Sequence, residues 1–155
     1  MQSFQNGYTF SQMVIDNSTD HDENGNELSH YKGISLTYEK TGEDRLYIST
    51  EQEIHVHDER VRQPDLTKTI DGIEVEYFLD TYKWVTPDYE LTEDDKANME
   101  KDNYFISVGA DEVSENLVSG VCWVQDGVWY HIGNIYGKTE PEVLFQMAEE
   151  LIMSE

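Results

Sequence analysis

Two stretches of this chain carry residue types whose spacing could hold a metal ion. Asp20-His-Asp-Glu-Asn-Gly25, followed by Asn26, has the D-x-D-x-N-G opening of a calcium loop. A hard cation takes several oxygens from one bent segment, and Asp20, Asp22, Asn24 and the carbonyl of Asn26 could supply them. The position where such a loop carries its bidentate glutamate is Tyr31, however, and no helix is expected on either side. Asp, Asn and Gly also suit an ordinary connection between strands, because they tolerate the backbone angles of turns. The sequence requires no cofactor. Calcium is the one this loop could take.

The second stretch is His55-Val-His57, which places two imidazoles on one face of a strand, followed by Asp58 and Glu59. Such a pair can hold a transition metal with a carboxylate, in a metal-binding protein or a metal-dependent enzyme. A third ligand would have to come from elsewhere, from His30 or His131. The competing reading is an exposed strand of an acidic protein, since two ligands do not make a site.

For nucleophilic catalysis there is no Gly-x-Ser-x-Gly elbow, and there is no Gly-rich phosphate loop. With 33 Asp and Glu residues, no carboxylate pair stands out as a glycosidase dyad. No catalytic residue is assigned, and the chain reads as non-enzymatic. A different chemistry is available to Trp84, Trp123 and Trp129 with Tyr82 and Tyr130, which could line a groove for an apolar, peptide or glycan ligand. Aromatics at such positions also serve as sheet core and cross-strand pairs.

The elements that would position these residues are mostly strands. Val118-Ser-Gly-Val-Cys-Trp-Val124 and Val128-Trp-Tyr-His-Ile132 are β-branched and aromatic runs separated by Gln125-Asp126-Gly127. Asp-Gly between two such runs predicts a hairpin, because both residues tolerate positive φ. Thr139-Glu-Pro-Glu142 has the spacing of a capping box, and Val143, Leu144, Met147, Ala148, Leu151 and Ile152 recur at one-turn spacing. The pattern predicts a helix over 139–153 with one apolar face lying on the sheet. Earlier strands are expected at 6–15, 31–38, 45–50, 69–78, 81–85 and 104–108, with a short doubtful strand at 53–57 and a polar loop at 16–26. Thr92 and Asp95 stand at capping distance, which predicts a short surface helix near 92–101. Strands that follow one another through short turns make an antiparallel sheet. The expected fold class is α+β: a curved antiparallel sheet with the C-terminal helix on one face.

Composition agrees. The 155 residues suffice for one domain, 1–155, with residues 1–6 as a flexible tail. Ten Tyr, five Phe and three Trp separate the chain from disordered acidic sequences, which lack aromatics. The formal charge of −23 would repel phosphates and anionic lipid heads, so nucleic acid and anionic membrane surfaces are poor partners. That leaves a solvated secreted surface, a cation binder, or a mimic of nucleic acid that occupies a basic protein. Cys122 is the sole cysteine, which rules out a disulfide framework and predicts a buried, inert thiol beside Trp123. No run approaches the length of a membrane-spanning helix, and residues 1–6 lack the basic and apolar parts of a signal peptide.

Several motifs are similar to one family pattern. Pro87-Asp-Tyr-Glu-Leu-Thr-Glu-Asp-Asp95, Tyr104-Phe-Ile-Ser-Val-Gly109, Asp111-Glu-Val113, the hairpin from Trp123 to Tyr130, Met147-Ala-Glu149, and upstream Tyr31-Lys-Gly-Ile-Ser-Leu-Thr-Tyr-Glu-Lys40 together span nearly the whole chain. This set resembles the C-terminal extracytoplasmic domain of Firmicutes membrane-anchored anti-sigma-factor-like proteins. The resemblance implies a parent chain with a cytoplasmic segment and a membrane span, a location on the outer face of the cell membrane, and a sensing role. The partner would be a protein or small ligand outside the membrane. It implies no catalytic residues. A looser similarity is to the antiparallel half-barrel with helix of lipoprotein carriers and envelope-stress regulators, which implies a groove for an acyl chain or a peptide.

Overall fold

The computed structural model describes residues 1–21, 27–42, 45–52, 62–134 and 137–154, with the backbone alone at 16, 18, 20, 21, 27–31 and 52. Among the described residues, eight strands form one mostly antiparallel sheet with two helices, an α+β fold with the sheet left open. The strands are β1 (Thr9–His21), β2 (Glu27–Glu39), β3 (Leu46–Gln52), β4 (Leu66–Ile70), β5 (Ile73–Val85), β6 (Tyr104–Val108), β7 (Ser114–Gln125) and β8 (Val128–Asn134). Helix α1 (Glu93–Asn98) precedes β6, and α2 (Pro141–Ile152) ends the fold. The spatial order is β1-β2-β3-β8-β7-β5-β4, with β6 alongside β5.

Two Asp-Gly turns set the register of their hairpins. Asp126 (φ 52°) and Gly127 (φ 74°) join β7 to β8, and Asp71 (φ 47°) and Gly72 (φ 83°) join β4 to β5. Both central residues need positive φ, and such turns match the twist of the flanking strands. Register then fixes the faces, since directly opposed residues point the same way. One row reads Tyr77, Val121, Ile132, Ile48, Leu36 and Met13 across six strands. It is buried from Tyr77 to Ile48 and surfaces toward β1.

Helix α2 covers the buried part of that face. Leu144, Met147, Ala148 and Ile152 lie in one cluster with Val75, Tyr77, Val121, Trp123 and Ile132. Burying a Leu, Ile or Met side chain contributes about 1.5–3 kcal/mol, so this seam is what holds the helix. Phe145, outside the expected apolar set, is also buried, with its ring 6.3 Å from Tyr77.

Several expectations are corrected. The capping box at Thr139 does not form: Glu140 is the N-cap and makes no side-chain cap bond, and Pro141 opens the helix. The Thr139 N–H instead donates to Ser119 Oγ at 2.7 Å, tying the link to β7. Residues 1–6, read as a tail, turn back on the sheet, with Ser3 bridging Thr9 and Phe4 buried in the core. The loop expected over 16–26 is strand as far as His21, paired with β2. The strands expected at 69–78 and 81–85 are one continuous β5 after the Asp71-Gly72 turn. The sheet is also not wholly antiparallel, because β5 and β6 run parallel. The doubtful strand at 53–57 lies outside the described residues.

The β5–β6 pairing has a local cause. β4 takes the stretch Ile73–Tyr77 of one β5 edge, and β6 takes Thr81–Val85 of the same edge. Leu79 falls between them. Its N–H donates to Asp65 Oδ2 at 2.7 Å, and its carbonyl accepts from Arg62 Nη2 at 3.3 Å. Two side chains thus satisfy the backbone groups left by the gap.

Candidate functional site: the helix-free face of the sheet

Among the described residues, the face opposite α2 carries no helix. Alternation along β5 places Phe78, Asp80, Tyr82 and Trp84 there, opposite Gly120, Val118, Asn116 and Ser114 of β7. The parallel strand β6 adds Phe105 beside Tyr82 and Ser107 beside Trp84. The Tyr82 ring stacks on both aromatic neighbours, with centroids 5.0 Å from Phe105 and 5.7 Å from Trp84. Phe105 is 40% exposed, and Tyr82 and Trp84 are half-buried. The neighbouring positions Ser107, Ser114 and Asn116 are uncharged hydrogen-bonding residues. Stacked rings with such neighbours suit a flat or extended ligand that offers C–H surface and hydroxyl or amide groups.

The opposite side of the same two strands fixes these rings. Asp95, 2% exposed, accepts from Lys83 Nζ at 2.5 Å, Tyr89 Oη at 2.8 Å, and both the backbone N–H (2.9 Å) and the hydroxyl (2.8 Å) of Thr92. The Thr92 hydroxyl in turn accepts the Asp95 N–H, completing the capping box of α1. The Lys83 ammonium and then the Thr92 N–H hold the Asp95 carboxyl well below the usual carboxylate range. Asp95, followed by Tyr89, raises Lys83 above its ordinary value. A buried carboxylate with a displaced pKa could signal a catalytic base, but four donors already occupy this one, so its role is to join α1 to β5. Tyr104 donates to Glu115 Oε2 at 2.8 Å, and burial followed by that carboxylate pushes its hydroxyl up to about 12. Lys83 and Tyr104 each adjoin a platform residue in sequence, Tyr82 and Trp84 in one case and Phe105 in the other.

A second group lies farther along the face. The rings of Trp129 and His131 stack at 5.6 Å and 4°. The imidazole lies over the backbone of Gly120 and Gly133, where a Cβ on Gly133 would stand 2.8 Å from Nε2. Beside it the row Glu76, Cys122, His131, Ser49 runs across four strands, and the buried Cys122 thiol donates to Glu76 Oε2 at 3.9 Å.

The structure therefore splits the five aromatic candidates. Trp123 and Tyr130 stack at 5.0 Å on the helix side, Trp123 within the core. Tyr82 and Trp84 share the open face with Trp129, but Trp84 pairs with Ser114 and Trp129 with Val124, ten residues apart on β7. At strand rise that separation is on the order of 30 Å, so the five line no common groove. Phe105 was not among the sequence candidates, because only the parallel register of β6 brings it to Tyr82. Of the metal candidates, Asp22, Asn24, Asn26, His55 and His57 lie outside the described residues, as does the side chain of Asp20, whose backbone belongs to β1. Among the described residues no three His, Cys, Asp or Glu side chains gather as a metal site, and no helix is long and apolar enough to cross a membrane. No family model, curated protein or solved structure matches the chain.

Proposed function

We propose that this is a non-enzymatic binding domain that captures a ligand on the helix-free sheet face. The supporting observation is the Tyr82–Trp84–Phe105 stack, left at the surface and flanked by Ser107, Ser114 and Asn116. Three rings of this size would normally be covered, and here the core cluster lies on the other face. The ligand class that fits is a glycan or an extended polar peptide, held by ring contacts and neutral hydrogen bonds. The sequence resemblance supplies a biological setting: an extracytoplasmic domain of a membrane-anchored anti-sigma-factor-like protein, in which capture outside the membrane biases the parent's hold on its sigma factor.

Titration with soluble oligosaccharides and with uncharged peptides, followed by tryptophan fluorescence, tests the binding reading. A saturable change in the wild type that disappears in Trp84→Ala supports it. A flat response to both panels, or one that Trp84→Ala leaves intact, rejects it. The setting has its own test. Deleting residues 1–155 from the parent chain should alter transcription from the sigma-dependent promoter, and unchanged output rejects the sensing role.

A further inference from the structure

The other end of the sheet carries a second surface. β1 is the terminal strand in the spatial order, and its inner edge pairs with β2 along its whole length. Its outer edge already accepts one strand-like segment. Ser3 bridges Thr9, and the Phe10 N–H donates to the Gln2 carbonyl at 2.9 Å. Beyond Phe10, no strand among the described residues pairs with that edge.

Long edges are normally blunted by Lys, Pro or inward-pointing charge, because their backbone groups invite a foreign strand. β4 follows that rule, with Lys68 at its centre bonded to Glu149, and β6 is only five residues long. β1 spans 13 residues with neither Lys nor Pro, and its irregularities, between Phe10 and Gln12 and between Asp20 and His21, leave Gln12–Ile15 regular. Its centre is apolar and uncovered, with Met13 55%, Val14 41% and Ile15 57% exposed. Met13 and Ile15 stand beside Leu36 and Ile34, and Leu36 packs against the core cluster. The apolar face thus continues past the end of α2 and stops at an open edge.

Charge selects the occupant. Residues 9–31 contain Asp16, Asp20, Asp22, Glu23 and Glu27 and no Lys or Arg. A second copy would bring another −23 to the contact. The geometry points to strand addition: the outer edge of β1, from Gln12 to Ile15, takes up an extended segment of another protein. That segment alternates aliphatic residues, which cover Met13 and Ile15, with Lys or Arg, which suit a chain of formal charge −23. Main-chain bonds would give the affinity and alternate side chains the specificity.

The test uses the whole chain and four fluorescent eight-residue peptides, read by anisotropy and by backbone amide shifts. One alternates Val with Lys, one alternates Val with Glu, one repeats the first with every backbone amide N-methylated, and one repeats the first with a central Pro. The proposal expects binding by the first peptide alone, with shifts centred on residues 12–15 and affinity falling as salt rises. Ile15→Lys should weaken binding about tenfold, since a charge replaces the apolar contact and repels the peptide's own lysines. Met13→Lys serves as a second variant, and circular dichroism verifies that both fold. Equal binding by the N-methylated or Pro peptide would show charge adsorption without strand pairing and overturn the proposal. So would shifts outside β1, binding by the Glu peptide, or concentration-dependent dimers that Ile15→Lys dissolves. The open-face reading stands or falls separately, because Trp84→Ala should leave this binding unchanged.

Discussion

Lys83 Nζ lies 2.5 Å from Asp95 Oδ1, so the last residues of β5 are fastened to the first turn of α1 through the buried Asp95 carboxylate. The pair faces the helix side, while its sequence neighbours Tyr82 and Trp84 face the open side. Alternation along one strand therefore couples an anchor on one face to a surface on the other.

Removing either partner should destabilise the domain, and Asp95→Ala more than Lys83→Met, because Asp95 also holds Tyr89 and caps α1 through Thr92. The double variant should cost less than the sum of the two, since a charge left alone in a buried site is worse than none. Urea denaturation of the four proteins checks this. Asp95 has a folded-state pKa below its unfolded value, so its contribution is present above the ordinary carboxylate range and lost as pH falls from that range through the lower folded-state value. The acid limb of a stability profile should therefore be shallower in Asp95→Asn.

Gly120→Ala should destabilise by about 1–3 kcal/mol, the usual cost of overpacking. The added Cβ would collide with His131 Nε2 and approach the Ile132 carbonyl at 3.2 Å. Adding His131→Ala should recover part of the loss, and the backbone contact should keep the recovery incomplete. Denaturant midpoints of the single and double variants decide it.

Alkaline conditions should weaken the fold before they ionise its buried tyrosines. Burial raises Tyr38 and Tyr77 and, with Glu115, pushes Tyr104 up to about 12. A folded-state pKa above the unfolded value gives stability that is whole below about pH 10 and lost as pH rises toward 12. Phenolate absorbance and circular dichroism should change together in that window. Tyr104→Phe should reduce the pH dependence there.

Added salt should raise the melting temperature. A formal charge of −23 repels itself within one compact domain, and screening relieves that repulsion. Scanning calorimetry from low to moderate sodium chloride should show a rise, and a steady fall would mean that the few ion pairs outweigh the bulk repulsion.

The fold was legible wherever a local pattern dictated it. Asp126-Gly127 demanded a tight turn, Thr92 and Asp95 demanded a cap, and the spacing of Leu144, Met147 and Ile152 demanded a partner face. Thr139 misled because a capping box depends on where the chain is pulled, and Ser119 takes its N–H instead. The candidate surface was legible only in part. Tyr82 and Trp84 could be named as aromatics able to meet a ligand, but nothing local separates them from Trp123, which is core.

By itself, then, the sequence determined the classes of element, the α+β composition, the acidic surface and the sheet-facing side of the last helix. These follow from turn chemistry, periodicity and charge, which act over a few residues. Tertiary structure decided which aromatics share a face, that Phe105 reaches Tyr82 across a parallel pairing, that Phe4 folds into the core, and that β1 ends the strand order among the described residues. Each of these depends on strand order and register between distant segments, and a shift of one residue in register would move every side chain of a strand to the other face.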